Sequence, residues 1–347
     1  MNRKGAGAVC RSKNVISCSR LLLLLSFFAT SAFPQSGTWA RQQTSTMAWL
    51  HSVFFLDQNR GWAAGSKGTL LQTLDGGNTW KPRRASTEDV VRDIFFIDAK
   101  NGWLVCEVNA YQLKKNEDPR AYLMRTIDGG DHWQRVEIKG FDVDAILVRA
   151  FFTRNGHGWT FGEGGSIYKT DDSGDTWVKL QSPTRRLLLG GTFVDDDRGW
   201  IVGAGATIIQ TSDGGETWYQ SLLPQVEKSV RFNAASFVDN RTGWAVGSGG
   251  SVFRTNTGGR TWLRQQSTVD VDLFDVKFLD AREGWAVGAE GTIIHTTDGG
   301  EHWTSERSNT EHPLERVFFT GKNRGWAVGF GGTVIAYLRN EVSATNE

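Results

Sequence analysis

The chain has 347 residues, with 41 Gly, 15 Trp and only 6 Pro. Its 39 Lys and Arg against 38 Asp and Glu leave a net charge of +1, which removes any global electrostatic case for nucleic acid and leaves charge a local role. Length fits two average domains or one large all-β domain, and abundant Gly and Trp with scarce Pro predict short strands, tight turns and Trp packing.

Residues 1–32 read as a targeting segment. Arg3, Lys4, Arg11, Lys13 and Arg20 form a basic region, Leu21 to Ala29 is an apolar run too short for a comfortable membrane span, and Thr30-Ser31-Ala32 places small residues at a cleavage position. The expectation is a cleaved leader and an exported protein; an uncleaved anchor is the alternative. Cys10 and Cys18 leave with the leader, so the mature chain keeps Cys106 alone and has no intramolecular disulfide.

A repeat then runs through nearly the whole remainder, 33–340, with a short tail at 341–347. Gly-Trp closes an apolar segment at Trp62, Trp103, Trp159, Trp200, Trp244, Trp285 and Trp326, at intervals of 41 to 44 residues except one of 56. Phe55, Phe96, Phe152, Phe193, Phe237, Phe278 and Phe319 hold one register upstream. A box of the form Thr-x-Asp-Gly-Gly-x-Thr/His-Trp follows the first six copies, ending at Trp80, Trp133, Trp177, Trp218, Trp262 and Trp303.

Each unit predicts four strands: one through the Phe pair (Ser52 to Leu56), the doubly buried Gly-Trp strand, a third such as Thr292 to Thr296, and a fourth starting at the box Trp. Four-strand units of this period, repeated radially, are propeller blades. The seventh copy stops after Thr333 to Leu338 without a box, while Gly37-Thr38-Trp39-Ala40-Arg41-Gln42-Gln43 resembles the fourth strand Arg260 to Gln266. The N-terminal segment should therefore supply the outer strand of the last blade and remove the open seam. The fold class expected is all-β, a seven-bladed propeller of four-stranded antiparallel blades.

The box aspartates Asp75, Asp128, Asp172, Asp213 and Asp298 invite a catalytic reading. A carboxylate at a Gly-Gly turn instead accepts the turn's own amides, and copy five carries Thr257, which a turn tolerates and a catalyst does not. One carboxylate per turn is also a poor Ca²⁺ ligand set.

These motifs resemble the Asp-box, or bacterial neuraminidase repeat, of sialidases, some glycoside hydrolases and sortilin-type receptors. Seven copies pairing Phe-x-Asp-x-x-x-Gly-Trp with the box most resemble the photosystem II stability/assembly factor family, over about Gly37 to Arg339. That resemblance implies an exported seven-bladed propeller acting as a non-enzymatic assembly factor, which in phototrophs binds newly made reaction-centre protein at the membrane. Copy two departs through Cys106, where other copies have Gly, and through an insertion from Glu107 to Arg120. Relatives without photosystem II imply that the fold does not fix the client.

Strand order places the box turns and first-to-second-strand turns on one face, with near-neighbour charges such as Asp57/Arg60, Asp98/Lys100, Asp197/Arg198, Asp239/Arg241 and Asp280/Arg282 expected as turn ion pairs. The other face carries the second-to-third-strand turns and the connections between blades. There Arg83, Arg84, Arg92, Arg149, Arg185, Arg186, Lys228 and Arg231 form a basic arc, opposed by Asp270, Asp272, Asp275, Glu306, Glu311 and Glu315. Such a face suits an extended protein partner, although an ordinary solvated rim reads the same way. The insertion, with Tyr111, Lys114, Lys115 and Tyr122 in or beside it, lies on this face, where a long excursion marks a binding loop.

A sialidase-like glycosidase is the enzymatic alternative, and it needs a Tyr nucleophile, a carboxylate pair and an Arg triad. The five Tyr sit at the insertion or on outer and third strands, and no spacing singles out a carboxylate pair. No Walker loop, Ser/His/Asp set or Cys/His metal spacing appears, so no catalytic residue, cofactor, metal or small-molecule substrate is expected. A propeller receptor with a non-photosynthetic client is the remaining alternative. The expected partner is a membrane-associated protein, met peripherally by a monomer in the periplasm, the extracellular space or a thylakoid lumen.

Overall fold

The computed structural model describes residues 37–109, 113, 119–153, 155–223 and 229–339. The leader, the tail, Tyr111, Lys114, Lys115 and Lys228 lie outside the described residues. The propeller is formed by the described residues of the unit Ser36–Glu347.

Its described strands form seven four-stranded antiparallel sheets. The first blade is Leu50–Phe55, Gly61–Gly65, Thr69–Thr73 and Lys81–Arg84, from the axis outward. Boundaries differ slightly from the sequence reading: the first strand starts earlier, and the fourth begins after the box Trp because that indole turns inward. The seventh blade is Leu314–Gly321, Arg324–Gly329 and Val334–Leu338, completed by Thr38–Gln42 with Trp39 opposite Tyr337. The predicted closure is therefore the observed one. Gln42 Nε2 donates to Gly76 O at 3.2 Å, and Gln265 Nε2 donates to Gly299 O at 3.0 Å, so the two look-alike strands perform the same job in their blades.

One aromatic sandwich repeats at every blade junction. Trp244 stacks on Phe278 of the next blade at 3.5 Å between centroids, and Trp303 meets the same ring edge-on at 5.8 Å. At the seam the set is Trp285, Phe319 and Trp39, so the closing strand's Trp occupies a box-Trp position. A Cβ on Gly284 would sit 2.5 Å from the Phe278 ring, which explains why a Gly precedes the second-strand Trp. The Gly-Trp strands are buried along their length, as expected for a strand packed on both faces.

The box is a hydrogen-bonded turn. Thr296 Oγ1 accepts the Gly300 amide at 2.8 Å and donates to Asp298 Oδ1 at 2.8 Å; Asp298 in turn accepts the His302 amide and contacts His302 Nδ1. Gly299 and Gly300 hold φ of +79° and +88°, left-handed values that favour glycine. In copy five, Thr257 Oγ1 takes the Thr261 amide at 3.0 Å in the aspartate's place. Hydrogen bonds from the Thr79 hydroxyl and amide bring Asp75 down to about 2, so this carboxylate is an anion fixed in a turn.

The expected turn ion pairs on this face are corrected. Asp57 Oδ1 accepts the Asn59 and Arg60 amides at 2.7 and 2.8 Å, and Asp98, Asp239 and Asp280 repeat the pattern. In the fourth blade the capping carboxylate is Asp195 rather than Asp197, and there it also pairs with Arg198 at 3.7 Å. A short side chain reaches its own backbone at less entropic cost than it reaches a long Arg.

Candidate functional site

The innermost strands line a central channel, and successive positions along them form rings. The ring nearest the connection face is His51, Arg92, Val148, Leu189, Asn233, Phe274 and Glu315, around a cavity of about 170 Å³. The next contains Ser52, Asp93, Arg149, Asp275 and Arg316. The ring nearest the box face is Phe54, Phe95, Phe151, Thr192, Ser236, Lys277 and Phe318, in a cavity of about 260 Å³.

The middle ring is an ion lattice across the axis. Both Arg149 terminal nitrogens lie 3.2 Å from Asp275 Oδ1, and Arg316 Nη2 lies 2.9 Å from Asp93 Oδ1. Asp275 Oδ2 also accepts the Val317 amide, while Asp93 accepts the Ser52 hydroxyl and the Ala150 amide. Buried charges persist only when paired and hydrogen-bonded in this way. At the mouth, burial and then the charges of Arg92 and Arg316 pull His51 down to about 4, so it is neutral at physiological pH. Burial raises the Glu315 carboxyl, which accepts the Trp49 indole N–H at 3.0 Å.

The structure redistributes the basic arc. Arg149 is 8 % exposed and locked to Asp275, so it belongs to the channel and not to the rim. Arg83 lies on an outer strand and pairs with Asp131 of the next blade's box turn, toward the opposite face. Arg92 is held by Glu107, and Arg231 by Asp272 at 2.9 Å, where the two arcs meet. The arc's remaining exposed members among the described residues are Arg84, Arg185 and Arg186. The acidic arc thins likewise: Asp275 is in the channel, and Glu306 sits at the ring seam between the Trp39 indole and His295. Charge signs along a connection do not reveal which side chains turn inward.

An aromatic ridge beside the mouth escaped the sequence reading. Met47 is 79 % exposed, Trp49 39 % and Phe330 46 %. Trp49 stacks on His51 and meets Phe330 edge-on, each at 5.4 Å. The available signal was Phe330, which opens a turn where other copies have Ser66, Glu163, Ala204, Ser248 or Ala289. At the second blade, Cys106 replaces a glycine that elsewhere lets the preceding connection cross closely. The ladder there runs one pair further, to Val90 and Glu107, before the insertion leaves. Burial pushes the Cys106 thiol up to about 12, which makes it inert packing.

Fold and site thus define a class: a closed seven-bladed Asp-box propeller whose repeated residues are used internally and whose connection face carries the unshared ones. The chain belongs to the family described as photosynthesis system II assembly factor YCF48, which matches residues 32–105, 84–187, 179–267 and 263–338. Among solved structures it resembles YCF48 from Cyanidioschyzon merolae, with a TM-score of 0.71 and 20 % identity over 87 % of this chain and 99 % of that one. A structure titled YCF48 bound to D1 peptide matches with a TM-score of 0.72 and 20 % identity over 90 % and 100 %. The GH74 xyloglucanase of Xanthomonas campestris gives a TM-score of 0.67 at 12 % identity, over 86 % of this chain and 53 % of that one. At these identities the likeness is one of fold. No curated protein matches the chain by sequence.

Proposed function

We propose that this protein is a non-enzymatic assembly factor that holds an extended segment of a membrane-protein client on its connection face. Its family supports that reading, and so does the relative solved with a D1 peptide. The observation that carries it is the pairing of exposed guanidinium groups, Arg185 and Arg186, with an exposed aromatic ridge, Trp49 and Phe330, on the same face. Aromatic and Arg side chains are the residues that dominate protein interfaces, and complementary charge orients the partner. With residues 1–32 as a leader, 33–340 as the propeller and 341–347 as a tail, the ring would work outside the cytoplasm, in the periplasm or a thylakoid lumen, as a monomer associated peripherally with the membrane. Among the described residues no helix is long and apolar enough to cross one.

The glycosidase alternative draws no support from the middle ring of the channel. Asp93 and Asp275 are each clamped by a guanidinium and by backbone amides, leaving neither placed as a general acid. Capture from membranes of the source organism tests the proposal: client recovery should fall at least fivefold for Arg185→Glu/Arg186→Glu and for Trp49→Ala. Recovery of no membrane protein above a bead control, or equal recovery by both variants, would refute it.

A further inference from the structure

The four charges of the channel's middle ring neutralise one another, Arg149 and Arg316 against Asp93 and Asp275. Lys277 is left over. It lines the same cavity as Asp93, Arg149, Asp275 and Arg316, on its box-face side, and leaves that lining with one net positive charge; it makes no hydrogen bond or ion pair with any described residue. Its electrostatic partner is Asp275, already engaged by Arg149 and the Val317 amide. Burial holds its ammonium below the usual lysine value, with Asp275 opposing. Lys277 is half-buried, so its ammonium opens onto the channel and can meet an anion that enters from solvent.

The ring around Lys277 is divided. Blades four, five and six contribute Thr192, Ser236 and Lys277 in succession, and the remaining blades contribute phenylalanines. Ser236 Oγ accepts the Phe278 amide at 3.0 Å, so its hydroxyl hydrogen is free to donate. Opposite, Phe54 meets Phe95 at 5.0 Å and Phe318 at 5.2 Å, a continuous aromatic wall. The cavity of about 260 Å³ has the liquid volume of roughly nine waters. That admits a single-ring molecule and no folded segment. Convergent polar groups facing an apolar wall are the ordinary make-up of a small-ligand site.

We propose that the box-face end of the channel is a binding site for a small carboxylate with an aromatic or aliphatic body. The carboxylate rests on the Lys277 ammonium and the Thr192 and Ser236 hydroxyls, and the body packs on Phe54, Phe95 and Phe318. The ligand supplies the counter-charge that the protein withholds. The ion lattice lies between this site and the connection face, so the site is separate from the client surface.

The test titrates the full chain with 3-phenylpropionate and with its uncharged isostere 3-phenyl-1-propanol, by calorimetry or ligand-observed NMR. The acid should bind at least tenfold more tightly than the alcohol, and Lys277→Met should reduce that ratio to near one. Arg92→Gln, at the other end of the channel, should leave it unchanged. Equal affinities in the unaltered protein, or a preference that survives Lys277→Met or disappears in Arg92→Gln, overturns the proposal. If Lys277→Met does not fold, limited acylation of the unaltered protein with peptide mapping decides: the acid should slow Lys277 modification at least fivefold and the alcohol should not. Equal modification rates overturn the site.

Discussion

Replacing Trp39 tests whether the N-terminal strand closes the ring. Trp39 is 4 % exposed, packs edge-on against Phe319 at 5.9 Å and tilts over Tyr337 at 5.2 Å. Its Nε1 donates to Glu306 Oε2 at 2.7 Å. Truncating a buried Trp costs about 3–5 kcal/mol, and a hydrogen bond to a charged acceptor contributes about 1.5–3 kcal/mol. The two overlap, because Glu306 keeps His295 at 2.9 Å. About 4 kcal/mol is therefore expected for Trp39→Ala and about 1–2 kcal/mol for Trp39→Phe, which retains a ring but loses the donor. For a ring of roughly 300 residues the unfolding entropy is about 0.6 kcal/mol/K, so Trp39→Ala should lower Tm by about 6 °C. Calorimetry measures the shift, and hydrogen exchange locates it: amides of Val334–Leu338, the strand Trp39 covers, should lose protection first. A Tm loss under about 2 °C, or unchanged exchange in that strand, would refute closure by this segment.

Three further outcomes follow from the same structure. Arg149→Met should destabilise by up to about 3–5 kcal/mol because it removes the closest counter-charge of the Asp275 carboxylate and leaves Arg316 Nε at 4.0 Å, while Arg149→Met/Asp275→Leu should recover most of the loss in urea unfolding; an additive double variant would disprove coupling. His295 is buried, which lowers its pKa, but Glu283 and Glu306 outweigh burial and raise it above the ordinary value. A raised value contributes stability that is fully present below the unfolded pKa of about 6.5 and is lost as pH rises through the folded one. The stability gap between the unaltered protein and His295→Gln should therefore be wider at pH 5.5 than at pH 9, and a pH-independent gap would show that the imidazole is never charged. Asp298→Thr should cost under about 1 kcal/mol, since Thr257 performs the same turn, whereas Asp298→Ala should cost about 1–2 kcal/mol by thermal melt; equal losses would mean the hydroxyl does not substitute.

The architecture was legible because a repeat reports on itself. Seven Phe, Gly and Trp registers, and a stray fourth strand around Trp39, determined the blade number and the closure without reference to any long-range contact. Blade junctions are local in the repeat, each Trp meeting the next copy's Phe, so spacing alone carries the packing. The box aspartates were likewise readable as turn chemistry, since Thr257 marked what the position tolerates.

The candidate site was legible only by face. Arg149 and Arg185 look alike in sequence, but one turns to the axis and pairs with Asp275, 126 positions away, while the other stays in solvent. Asp195, Glu306 and Trp49 found partners that no spacing announced. A repeat fixes what every copy shares, because the same local geometry recurs. The channel is different: seven unlike residues at one equivalent position meet only when the ring closes. The lattice of Asp93, Arg149, Asp275 and Arg316, and the unpaired Lys277 beneath it, therefore came from the tertiary structure alone.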